Sequence, residues 1–83
     1  MFINKTSEGL NNVCGKNISF HRKKLNLSQR EFADKLQLIG LDIDKNAVQR
    51  IEAGKRFVTD IELVYISKAL KLPYEELLSE TIF

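Results

Sequence analysis

Eighty-three residues, 43% of them hydrophobic, make one small domain, and a chain this short closes its modest core most cheaply with helices. No stretch approaches the ~18 consecutive apolar residues of a membrane span, the start MFINKTSEGL lacks the pattern of a secretory leader, and a lone Cys14 forms no internal disulfide, which fits a cytoplasmic setting. The net charge of +2 says little, but residues 16–56 carry ten Lys and Arg against five acids, and residues 57–83 carry two against five: a basic block suited to phosphate, then an acidic block suited to facing away from it.

In chain order, residues 1–11 mix Asn, Ser, Thr and Gly with the apolar pair Phe2–Ile3 and read as a loose arm. The lead-in is taken to residue 15, since a helix can begin anywhere from Asn11 to Lys16 and Gly15 is mildly unfavourable inside one. The first firm helix runs from Lys16 to about Leu25, with an imperfect apolar stripe, and Asn26 ends it. In LSQREFADKL, Ser28 followed by Glu31 is a capping box, in which the serine bonds forward and the glutamate reaches back. The second helix then runs from Gln29 to about Leu38 with Phe32, Ala33 and Leu36 on one face, and Gly40 stops it. The next four residues, LDID, read as an extended link anchored by Leu41 and Ile43, because a single strand without a partner is improbable.

DKNAVQRIEAG, residues 44–54, predicts a short third helix. Asp44 is its N-cap and Gly54 its left-handed stop. Ala47, Val48 and Ile51 can point inward, which leaves Lys45, Asn46, Gln49 and Arg50 outward or at the flanks. That outward set holds amides and cations and no carboxylate. Asn and Gln can bond adenine through two hydrogen bonds, and Arg or Lys can do so with guanine, so the helix suits a DNA major groove. On this segment alone, an ordinary amphipathic surface helix is an equally good reading.

A second capping box, Thr59 with Glu62, opens a fourth helix from about Asp60 to Lys71. Leu63, Ile66 and Leu70 form its stripe with Ala69 beside them, and Ile61, Val64 and Tyr65 widen the apolar arc. Pro73 suits a helix start, so a short fifth helix spans Pro73 to about Ser79 with Leu77 and Leu78 inward. The domain proper is residues 16–79, and residues 80–83 are a partly apolar tail.

Taken together, LSQREFADKL, AVQRIEAGKR and SKALKLPYEELL resemble the phage-repressor-like (Xre-type, lambda-repressor-like) helix-turn-helix domain over about residues 16–78. The resemblance implies an all-α, compact five-helix fold whose second and third helices meet DNA, the third in the major groove and the second across the backbone. By position it implies base reading by Lys45, Asn46 and Arg50, with Gln49 beside them. Backbone contacts are implied from Lys55 and Arg56, from Lys16, and from Ser28 and Gln29 at a helix N-terminus that can seat phosphate. Gln29 also matches a position that braces the recognition helix, and Arg22 with Glu52 matches an ion pair joining helix one to it. One departure stands out. The usual turn between the two DNA-facing helices is ~3–4 residues, whereas Gln37–Asp44 holds about five residues more, so either the second helix is longer or the connection is an extended loop. Asp42 and Asp44 bring negative charge to that edge.

Other chemistry lacks its motifs. One Cys and one His cannot make a zinc site, no phosphate-cradling glycine loop or nucleophile elbow occurs, and no cofactor, small-molecule ligand or enzymatic activity is expected. His21 reads as a packing or surface residue and Cys14 as a small apolar one. The expected function is a DNA-binding transcriptional regulator, a repressor in mode. Its partner is double-stranded DNA, bound by a homodimer through Ile61, Val64 and Tyr65 of helix four or Leu78, Ile82 and Phe83 of the tail, unless these residues complete the core instead. The rival reading is an antitoxin or small adaptor that uses the fold to grip another protein, for which the acidic 75–80 segment would serve.

Overall fold

The structure, a computed structural model, describes residues 5–79. Five helices follow in order, α1 (Cys14–Lys24), α2 (Gln29–Leu38), α3 (Lys45–Glu52), α4 (Asp60–Leu70) and α5 (Tyr74–Leu77), and no strand occurs among the described residues. The all-α, five-helix expectation matches what is observed.

Local chemistry sets the helix starts. The Ser28 hydroxyl accepts the Glu31 N–H at 3.0 Å while the Glu31 carboxylate accepts the Ser28 N–H at 2.8 Å. Thr59 and Glu62 repeat the device at 3.1 and 2.9 Å. Asp44 caps α3 by accepting the Ala47 N–H at 2.8 Å. Each cap satisfies donors that the first turn leaves without partners.

The helix ends share one motif. After α1, α2, α3 and α4 the chain turns through a left-handed residue, respectively Asn26, Gly40, Gly54 and Lys71. In each case the following N–H reaches back to the last turn: Leu27 to Arg22, Leu41 to Leu36, Lys55 to Arg50 and Leu72 to Ser67. These are Schellman turns, which satisfy the last free carbonyls. Two of the four rest on glycine and one on asparagine, the residues that tolerate this conformation best. Lys71 does not.

The connection between α2 and α3 is a true loop of residues 39–44 and not a lengthened helix. Both helix bounds are those the sequence predicts, and the six residues between them exceed a tight turn of ~3–4 residues. Ile43 is buried and Leu41 packs against the core, so both apolar anchors hold. Gln37 fastens the loop by donating from Nε2 to the Ile43 carbonyl at 2.7 Å.

Ile18, Phe32, Leu36, Val48, Ile51, Ile66 and Leu77 are fully buried and form the centre of the core. α3 packs against both α1 and α2, α4 against α2, and α5 against α1 and α4. A leucine lost from such a site costs ~2–5 kcal/mol, so α3 is seated firmly through Val48 and Ile51. Two expectations need correction. Leu78, placed inward, is exposed, and the boundary at residue 15 falls inside α1, which starts at Cys14.

Candidate nucleic-acid interface

α3 is short, and its buried face is narrow. With Val48 and Ile51 in the core, the positions on the other side of the helix must meet solvent. Lys45, Asn46, Gln49 and Arg50 are all exposed. Asn46, Gln49 and Arg50 line one open hollow with Ala53 and Lys55. Asn46 and Lys45 also border a second hollow between α2 and α3, whose other walls are Arg30, Ala33, Asp34, Gln37 and Asp44. The structure therefore gathers Asn46, Gln49, Arg50 and Lys55 at one hollow and sets Lys45 at the neighbouring one, with Asn46 between them. It adds Arg30, which the sequence reading passed over. Arg30 lies on α2 far from Lys45 in sequence, and only the packing of α2 on α3 brings them to one hollow. Asp34 and Asp44 share that hollow, so its field is mixed, while the Asn46–Lys55 hollow contains no carboxylate.

The orientation of α3 is set from below by Glu52. Its carboxylate accepts from Arg22 Nε at 2.7 Å and Arg22 Nη2 at 2.9 Å, and from Gln29 Nε2 at 3.0 Å. Arg22 also donates from Nη1 to the Leu27 carbonyl at 2.7 Å. Both partners of the ion pair are largely shielded, with side-chain exposures of 9% and 7%. The Glu52 hydrogen bonds raise the Arg22 guanidinium above its ordinary value despite the opposing effect of burial. One glutamate thus joins α1, α2 and α3. Gln29 occupies the bracing position, with its amide nitrogen turned to Glu52.

The expected backbone contacts are distributed less evenly. Lys55 is exposed at the end of α3. Lys16 lies against Glu8 at 3.3 Å, and both side chains are open to solvent, an arrangement of little energetic weight. At the start of α2 the Ser28 hydroxyl and N–H are engaged in the capping box, and the Glu31 carboxylate already sits over the N-terminus. Arg56 departs furthest from expectation. Its guanidinium forms a bidentate pair with Glu62, 3.0 Å from Nη1 to Oε1 and 2.8 Å from Nη2 to Oε2, and Glu62 is buried. Burial pushes the Glu62 carboxyl up, but the Arg56 hydrogen bonds and the Thr59 N–H outweigh it, and the group titrates below its ordinary 4.5. Arg56 is thus a clamp between the α3–α4 loop and α4, and a phosphate would have to compete with a shielded carboxylate for it.

The lead-in is not a loose arm where it is described. The Asn11 side chain donates to the Lys55 carbonyl at 2.9 Å, and the Asn11 N–H to the Gly54 carbonyl at 2.8 Å. Asn12 Nδ2 donates to the carbonyls of Ile51 at 3.0 Å and Arg56 at 2.7 Å, while its Oδ1 accepts the Gly15 N–H at 2.8 Å. The partners at the end of α3 and beyond it lie 39–44 positions away, so nothing local in the sequence signals them. Cys14, at the start of α1, is buried, and burial pushes its thiol up to about 11, which leaves it protonated and unreactive.

A family model described as helix-turn-helix matches residues 21–77. The crystal structure of the restriction-modification controller protein C.AhdI from Aeromonas hydrophila is similar with a TM-score of 0.66 at 25% identity, covering 76% of this chain and 84% of that one. The hypothetical transcription factor NHTF from Neisseria is similar with a TM-score of 0.75 at 19% identity, covering 93% of this chain and 83% of that one; at that identity the likeness is one of fold. No curated protein matches the sequence.

Proposed function

The chain belongs to the helix-turn-helix family, and from that premise we propose how it works as an Xre-type DNA-binding regulator. α3 enters the major groove, with Lys45, Asn46, Gln49 and Arg50 meeting base edges. Lys55 meets the adjoining backbone, while Gln29 and Ser28 serve to brace α3 and to cap α2. The observation that carries this reading is the carboxylate-free surface of Asn46, Gln49, Arg50 and Lys55 on a helix whose opposite side is fixed in the core. Repression, by occupying a promoter, is the mode a DNA-reading domain can carry out unaided.

One copy offers few base contacts, and each wrong base pair costs only ~1–3 kcal/mol. Two copies read a near-palindrome and multiply that discrimination. For the contact between copies we propose α4, where Ile61 is 66% exposed and Val64 lies beside it. Asp60 at one end of this face and Lys68 at the other favour antiparallel pairing of two α4 helices, Asp60 of each copy near Lys68 of the other. Tyr65 lies against Gly40, with the Lys68 ammonium over its ring. Leu78 is exposed just past the end of α5, and Ile82 and Phe83 lie outside the described residues.

Selection of bound sequences from random duplex DNA, followed by titration at several salt concentrations, tests the reading. A regulator of this kind yields a two-fold symmetric site and an affinity that falls steeply with salt, by a log–log slope of ~0.9 for each phosphate neutralised. A flat salt response, or no enriched sequence, would overturn it in favour of a protein-gripping role.

A further inference from the structure

Four carbonyl oxygens at the end of α3 and in the loop after it, those of Ile51, Gly54, Lys55 and Arg56, each receive a hydrogen bond from Asn11 or Asn12. The two asparagines are themselves held. Asn12 Oδ1 accepts the Gly15 N–H at the start of α1, and Lys5 Nζ donates to Asn11 Oδ1 at 2.9 Å. Leu10 closes over the same turn so tightly that a β-carbon at Gly54 would lie 2.8 Å from Leu10 Cδ2. A segment that precedes α1 is thus laced to the backbone that carries Lys55. The Lys55 side chain is exposed, so what that backbone sets is the point from which it departs. A loop already held in its bound geometry loses less conformational freedom when it docks.

We propose that Asn11 and Asn12 are positioning residues for DNA binding. By tying the Ile51–Arg56 carbonyls to the start of α1, they hold the Lys55 ammonium at the rim of the Asn46–Arg50 surface, where it meets the phosphate beside the bases being read. The inference rests on the DNA-binding reading above and deepens it: the residues before α1 act on affinity through Lys55 without touching a base.

The experiment is a double-mutant cycle on the selected operator. Affinity is titrated against salt for the unaltered protein, Asn11→Ala, Asn12→Ala, Lys55→Ala and the Asn11→Ala/Lys55→Ala pair, with the melting temperature of each recorded. Asn11→Ala is expected to weaken binding several-fold and to make the salt slope shallower by up to ~0.9, the contribution of one phosphate contact. In the Lys55→Ala background it should change neither. A wild-type slope for Asn11→Ala, or losses that multiply with those of Lys55→Ala, would overturn the proposal, since a general loss of stability lowers the melting temperature and leaves the slope alone. If Asn12→Ala fails to fold, Asn11→Ala decides by itself, because its side chain bonds only the Lys55 carbonyl through Nδ2 and the exposed Lys5 ammonium through Oδ1. Failure of the unaltered protein to bind any duplex would instead defeat the DNA-binding reading and this inference with it.

Discussion

Gly15 passes so close beneath the carbonyl of Ile51 that a β-carbon built on it would stand 2.2 Å from that oxygen. The contact joins the first turn of α1 to the last turn of α3, and both sides are backbone, so neither can yield as a flexible side chain would. Gly15→Ala is expected to force the two helices apart and to cost at least ~3 kcal/mol, the upper end for an overpacked core. Urea unfolding monitored by circular dichroism would check it. A midpoint unchanged from the unaltered protein would show that α1 can shift without loss.

Arg22 and Glu52 form a shielded pair that also holds Gln29. Removing one partner strands the other, so Arg22→Ala is expected to cost ~3–5 kcal/mol, while the double change Arg22→Met with Glu52→Leu costs less than either single change. Denaturant unfolding of the three variants decides the order. Because α3 is oriented through Glu52, the double variant should still fold yet bind DNA more weakly.

The Glu62 carboxyl titrates below its ordinary 4.5 in the folded chain. Its stabilising contribution is therefore complete above the unfolded value, near pH 4.5, and is lost as the pH falls through the lowered folded value. Unfolding free energy should drop between pH 6 and pH 3, and Glu62→Gln should drop less across the same interval while starting lower at neutral pH. Parallel curves for the two proteins would remove the Arg56–Glu62 clamp from the account.

Base readers and backbone contacts should separate by their signatures. Arg50→Ala and Asn46→Ala are expected to relax preference at one position of the operator by ~1–3 kcal/mol. Lys55→Ala should weaken all sequences alike and make the salt slope shallower by ~0.9. A panel of single-base operator variants titrated at two salt concentrations would check both. If the three substitutions give the same profile, the division of roles is wrong.

Lys71 ends α4 in the left-handed region at φ +55, where a side chain costs ~1–2 kcal/mol that glycine avoids. Glycine returns part of that gain through the greater freedom of its unfolded chain. Lys71→Gly is thus expected to stabilise the domain by ~0.5–1 kcal/mol, seen as a higher melting temperature. A lower one would mean that the lysine side chain contributes more than its backbone strain costs.

Sequence by itself determined the helices and much of their faces. Ser28 with Glu31, Thr59 with Glu62, Asp44, Asn26, Gly40 and Gly54 act within a few residues of where they stand, so their chemistry is legible without the fold. The outward set on α3 followed for the same reason, since helical period alone sends Lys45, Asn46, Gln49 and Arg50 away from Val48 and Ile51. What only the tertiary structure decided involves partners distant along the chain. Arg30 joined the surface once α2 packed on α3. Gly15 looked merely unfavourable until Ile51 was placed above it. Asn11 read as part of a loose arm and Asn12 as lead-in, because hydrogen bonds across about forty residues leave no local pattern, and they form only when the helices have closed the distance.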